Sequence, residues 1–177
     1  YYHAAEEAYA LCFPGSNPLT PEDWILANLH QALGRYSAQY DRAMALGERF
    51  SRIRDRRLLV LGYSLGGGLA AAAASVSGLA CYTFNAAGLH AATLVQHESY
   101  GIIASRQREI RAFYLDGEML SALQNGETGR HFALPPAAGQ HIRIRPPLSD
   151  PGWGNPTERT WTSMALHLLD RVIFYME

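Results

Sequence analysis

The chain has 177 residues, 48% of them hydrophobic, with a formal charge of -1 at pH 7 and two cysteines. That is enough for one domain with a substantial core and too little for two ordinary ones, so a single domain over residues 1–177 is expected. No basic block dominates, which removes the electrostatic footprint of a nucleic-acid partner; the cations are all Arg, which codon bias explains as well as phosphate recognition does. Cys12 and Cys81 each sit in an apolar run and read as small buried hydrophobes, not as a disulfide framework or a metal site. No apolar run nears the roughly 20 residues of a spanning helix. Tyr1 is not an initiator Met and no basic-then-apolar leader follows, so the chain is expected to be a piece of a longer protein.

Residues 1–8, rich in Ala and Glu, read as a helix end, and residues 9–13 as a buried strand stopped by Pro14 and Gly15. Thr20 can cap a helix that has Pro21 at its first position and Glu22 and Asp23 in its first turn. Ile25, Leu29 and Leu33 then recur every fourth residue, and Gly34 can close the helix. A second helix over residues 37–54 has Tyr40, Met44, Leu46 and Phe50 as its expected inner face. It runs into Arg49, Arg52, Arg54, Arg56 and Arg57. Such a cluster either engages anionic lipid headgroups or complements the helix dipole and stays solvated, and the second is expected.

The apolar run 58–61 leads into Gly62-Tyr63-Ser64-Leu65-Gly66, followed by Ala-rich helical sequence to Ser77 with Gly78 as its stop. Gly-x-Ser-x-Gly between a strand and a helix is the context of a nucleophile elbow: glycines admit a sharp turn, and the serine hydroxyl stands exposed at the helix N-terminus. Residues 79–84 read as the next strand, 85–88 as its turn, 89–109 as one or two short helices, and 110–115 as another strand running into Asp116-Gly117-Glu118. Residues 120–139 are broken by Gly126, Gly129, Pro135 and Pro136. Residues 140–145 alternate polar and apolar like an edge strand. A Pro/Gly/Asn-rich loop over 146–156 precedes a last helix, to Tyr175, with Met164, Leu168 and Val172 at a spacing of four.

This order predicts an α/β class chain, an α/β-hydrolase-like, mostly parallel sheet flanked by helices. One strand precedes the elbow strand where more are usual. N-terminal strands are therefore either missing with an upstream segment or supplied by another stretch of protein. In such sheets the triad runs Ser, acid, His along the chain. Asp116 ends the second strand after the elbow, so it is the expected acid, with Glu118 as fallback; Asp116-Gly117 is also an ordinary turn pair. Chain order leaves His131, His141 and His167 as bases, and His167, early in the last helix, fits best. His141 could be a strand-surface residue, and His167 could instead bond to Asp170 on its own helix face. The oxyanion hole would take the N–H of Leu65 and a donor at Ser16, in a segment that otherwise reads as a plain turn.

Phe13-Pro14-Gly15-Ser16, Asp23-Trp24 and Gly62-Tyr63-Ser64-Leu65-Gly66-Gly67 together resemble the class 3 lipase family of α/β-hydrolases. The resemblance covers residues 9–88 and implies that Ser16 supplies the oxyanion hole and Ser64 the nucleophile. Pro14 stands where that family has Arg, and Tyr63 where it has His, which bears on substrate preference. The runs Phe84-Asn85-Ala86-Ala87-Gly88-Leu89 and Asp116-Gly117-Glu118-Met119-Leu120-Ser121 are similar to lipase-like domains of bacterial effectors and toxins, implying a phospholipid target and a secreted or translocated protein.

The expected activity is hydrolysis of lipid carboxylic esters by a serine hydrolase without cofactor or metal, with transient contact with a membrane surface. A soluble-substrate esterase or thioesterase, and a non-catalytic hydrolase-fold binding module, are the alternatives.

Overall fold

Alternating burial sets the architecture. In the computed structural model, which describes residues 1–5, 7–15, 37–95, 100–124 and 134–145, six strands form one sheet. They are β1 (Tyr2–His3), β2 (Ala8–Phe13), β3 (Arg57–Tyr63), β4 (Ala80–Phe84), β5 (Ile110–Leu115) and β6 (Gln140–Ile144), paired in that order. β1 is antiparallel to β2, and every later pair is parallel. The expected helix end over residues 1–8 is therefore corrected: Tyr2 and Tyr9 pair across the strands with their rings 4.8 Å apart. This hairpin supplies a second strand ahead of the elbow strand.

The helices are α1 (Ala38–Phe50), α2 (Leu65–Ser77), α3 (Ala91–Leu94), α4 (Tyr100–Gln107) and α5 (Met119–Gln124). Each strand from β2 to β5 is followed by its neighbour in the sheet, and right-handed crossovers in one direction put successive helices on one face. α2 accordingly packs against both α1 and α4. The strand residues facing these helices are the dry ones: Val60, Cys81 and Ile110 lie in one cross-strand row, and Gly62, Thr83 and Ala112 in the next. The core joins this row to Tyr40, Met44 and the alanines of α2. Alanine gives up no side-chain freedom on burial, so a helix of small residues can lie close to a sheet at little entropic cost. Gly78, in the left-handed region at φ 74°, ends α2 by donating its N–H to the Ala74 carbonyl.

Three local expectations are corrected. The inner face of α1 is Tyr40, Ala43, Met44 and Gly47, whereas Leu46 is exposed, because i, i+3, i+4 and i+7 define one helix face and Leu46 falls outside it. Cys12 is exposed, since β2 turns it to the face opposite Leu11, while Cys81 is buried as expected. Within residues 120–139, taken as irregular, α5 forms because Glu118 caps it. Only Arg49 of the arginine cluster lies in the last turn of α1; Arg52, Arg54 and Arg56 follow in the connection to β3, exposed and at the end of the sheet opposite Ser64. The helix expected over residues 20–34, the 146–156 loop and the last helix lie outside the described residues.

Burial pushes the Cys81 thiol up to about 12 from 9.0 and raises the Tyr40 phenol above its usual range. Both groups stay protonated in the fold while the unfolded chain releases their protons, so stability is full below about pH 9 and declines as pH rises through the alkaline range. Urea midpoints at about pH 8 and about pH 10.5 should show this loss, with a smaller loss in Cys81→Ala.

Candidate active site

β2, β3, β4 and β5 all end on the same edge of the sheet, and of the residues expected at the site Ser64 follows β3 and Asp116 follows β5. The most constrained is Ser64. It stands between β3 and α2 with φ 54° and ψ -124°, a conformation that L-residues adopt only under constraint, and it is 3% exposed. Its backbone is fixed from three sides. The Ser64 N–H donates to the Phe84 carbonyl at 3.0 Å, and its carbonyl accepts from the N–H groups of Gly67 at 2.9 Å, Gly68 at 3.3 Å and Ala87 at 2.8 Å. Leu65 is the first helical residue, so its N–H is among the amides that have no carbonyl partner inside the helix.

Both motif glycines are demanded by close approach. A Cβ on Gly62 would lie 2.2 Å from the Gly66 carbonyl oxygen, and one on Gly66 would lie 2.2 Å from the Phe13 oxygen and 2.3 Å from that of Pro14. The turn is thus closed by β3 and the first turn of α2, with the end of β2 resting on that turn.

Asn85, which follows β4, was read from sequence only as a turn residue. It is fully buried at φ 43°, donates its N–H to the Phe113 carbonyl at 2.8 Å, and accepts the Leu115 N–H on Oδ1 at 3.0 Å. The side chain stands in for the strand partner that β5 loses where β4 stops. Asn tolerates the left-handed region and bonds local backbone, which is the one signal that could have marked it.

Asp116 follows β5 directly, at the end of the second strand after the elbow. Its N–H donates to the Ile144 carbonyl at 2.9 Å, and its carboxylate lies 3.5 Å from Arg143 Nη1 on β6. A hydrogen bond with Tyr114, and then the charge of Asp116, raise the pKa of Arg143. Arg143 was missed because only the β5–β6 register brings it beside Tyr114. Gly117, at φ 76°, and the Glu118 N–H bond to the Leu115 carbonyl complete a turn, so Asp116 does open a turn pair.

Glu118 is fully buried and spends its carboxylate on α5: Oε1 accepts the Leu120 N–H at 2.6 Å, and Oε2 accepts the Ser121 N–H at 2.9 Å and hydroxyl at 2.8 Å. This is helix capping. His141 is an exposed edge-strand residue whose Nε2 lies 2.7 Å from the Ala137 carbonyl oxygen. It pairs with Ala112, in the row of Gly62, and three strand spacings, about 14 Å, separate it from β3. The structure does not bring His141 to Ser64. Ser16, His131 and His167 lie outside the described residues, and among the described residues no cluster of His, Cys, Asp and Glu could hold a metal ion.

Replacing Asn85 with Ala strands the buried Leu115 N–H. A loss of about 1–3 kcal/mol is expected, measured as a lower urea midpoint.

The chain matches the family of Tle-like phospholipase domains over residues 1–143. It is also similar to the extracellular phospholipase A1 of Serratia liquefaciens, at 31% identity over 179 aligned positions that take in 98% of this chain and 54% of the relative. The chain thus spans about half the length of that curated relative. The elbow and the strand ends around it all lie inside the matched region, and the chain belongs to the Tle-like phospholipase domain family.

Proposed function

We propose that the chain is a serine hydrolase that cleaves the carboxylic esters of phospholipids through an acyl-enzyme. The observation that carries this reading is the backbone of Ser64, held at φ 54° on a strand end above a helix N-terminus. Strain of this kind needs a surrounding that over-determines it, and the three N–H groups on the Ser64 carbonyl provide one. Membership of a phospholipase-like family supports the lipid ester as substrate, and the name of the Serratia relative supports a secreted protein. Among the described residues no helix is long and apolar enough to cross a membrane. In this proposal contact with lipid is a transient surface encounter by a single domain, with a further protein segment completing the fold.

In this mechanism His167 takes the Ser64 hydroxyl proton as Oγ bonds to the ester carbonyl carbon. The Leu65 N–H and Ser16 hold the oxyanion. As the tetrahedral adduct collapses, the C–O bond to the alcohol breaks and His167 returns the proton to the leaving oxygen. Water, deprotonated by the same imidazole, then bonds to the acyl carbon, and as the second adduct collapses the bond to Ser64 Oγ breaks, Oγ takes the proton back from His167 and the fatty acid leaves. Asp116 accepts the other ring N–H of His167 and stabilises the imidazolium. Two strand spacings, about 10 Å, separate the β3 and β5 lines, which leaves room for an imidazole between the two side chains.

A fluorophosphonate should label Ser64 and leave Ser64→Ala unmodified, as read by intact mass. Absence of a mass gain in folded protein would refute the nucleophile. The two carboxylates separate by their defects. Asp116→Asn is expected to lower kcat by about 10⁴ with stability nearly kept. Glu118→Gln should lower the melting temperature more than it lowers kcat, because its oxygens cap α5.

A further inference from the structure

The loop after β4 is held residue by residue, each time by a different element. Asn85 bonds to Phe113 and Leu115 of β5, the Gly88 carbonyl accepts the Tyr40 hydroxyl of α1 at 3.4 Å, and the Leu89 N–H donates to the Pro136 carbonyl at 3.2 Å. Between these contacts lies the peptide that joins Ala86 to Ala87, two buried residues. Its N–H reaches the Ser64 carbonyl at 2.8 Å, and its C=O accepts a hydrogen bond from Gln124 Nε2 at 3.1 Å. Gln124 is the last residue of α5 and has no part in the chemistry above. Its place depends on Glu118, whose carboxylate caps the other end of that helix.

We propose that Gln124 is a positioning residue, holding the Ala86–Ala87 peptide so that its N–H fixes the Ser64 carbonyl and thereby aims the Leu65 N–H at the oxyanion. The inference rests on the serine-hydrolase reading. A peptide unit is planar, and in the trans form its C=O and N–H point in opposite directions, so fixing one fixes the other. Among the described residues no peptide bond is cis. Gln124 orients the Ala87 N–H by holding the Ala86 oxygen, and the Ala87 N–H orients the Leu65 N–H by holding the Ser64 oxygen. Two rigid planes in series thus carry the setting of α5 to the amide beside the nucleophile. Each bond in such a chain also polarises the next. The Gly67 and Gly68 bonds to the Ser64 oxygen belong to the first turn of α2 and move with it, whereas the Ala87 bond is made from outside that helix. Loss of Gln124 loosens one of these three bonds and removes no donor, so its effect on kcat falls below the 10²–10³ that losing an oxyanion donor costs, at about tenfold. The loss falls on kcat because the aimed amide meets the developing charge.

The test compares two variants in the full chain, with p-nitrophenyl butyrate as the ester. Gln124→Met keeps the length of the side chain and removes the donor, while Gln124→Glu keeps its shape and sets an acceptor against the Ala86 oxygen. Gln124→Met is expected to lose about tenfold in kcat with KM within about twofold of the parent, and Gln124→Glu to lose more. Amide hydrogen exchange of the free protein gives the second readout. The Ala87 amide should exchange at least about tenfold faster in both variants, while the Cys81 amide, at the other end of β4, stays within about twofold. Ala87 exchange that is unchanged overturns the proposal, and so does exchange that rises equally at Cys81, which reports general loosening. An unchanged kcat also overturns it. A loss expressed in KM overturns it in favour of substrate contact, and a Glu variant nearer to the parent than the Met variant overturns it in favour of packing. Should the parent hydrolyse no ester, the hydrolase reading fails, and Ala87 exchange still decides whether Gln124 holds the peptide.

Discussion

The carbonyl of Ser64 accepts three backbone N–H groups, two from the first turn of α2 and one from Ala87 in the loop after β4. Each is an ordinary hydrogen bond, contributing about 1 kcal/mol net. Together they oppose a backbone strain of about 1–3 kcal/mol at a residue that would otherwise relax. The arrangement requires β4 to pair with β3 in one register and α2 to start without a linker. The sheet order and the elbow are in this sense one constraint.

Close packing around that turn follows from the same requirement. Gly62 is needed because β3 approaches α2, and Gly66 because the end of β2 does, to a distance at which any Cβ would overlap a carbonyl oxygen. The alanines that follow keep α2 near the sheet over its whole length, and its buried residues run from Leu65 to Val76 with little interruption. A helix this dry carries almost no side-chain polarity, which leaves backbone groups as the means of directing charge at Ser64. Polar side chains are concentrated at the other strand ends: Asn85 on the Leu115 amide, Glu118 on α5, and Asp116 beside Arg143.

Much of the plan was legible in residue patterns. The strand–elbow–helix order, the β5 strand over 110–115, the edge character of β6 and the place of Asp116 at a strand end all follow from apolar runs and turn residues, which are local signals. The misreadings share a cause. Residues 1–8 look helical by composition, but their pairing with β2 is a non-local contact that propensity does not record. Leu46 and Cys12 were assigned to the interior by type, whereas helix phase and strand face decide burial. Glu118 reads as a second acid by its place in the chain, whereas its oxygens lie on the amides of α5.

Sequence alone singled out the candidate groups: one serine in a Gly-x-Ser-x-Gly turn after an apolar run, with acids and histidines following it along the chain. Tertiary structure fixed the surroundings of those that lie among the described residues. It removed His141, which the β6 register holds three strands away, and committed Glu118 to capping. It also revealed Asn85, whose side chain crosses from the end of β4 to the Leu115 amide of β5. Spacing along a chain fixes strand ends and turn types because those depend on neighbouring residues. Which side chain meets which across a sheet depends on register, and register is set only when the whole sheet has formed.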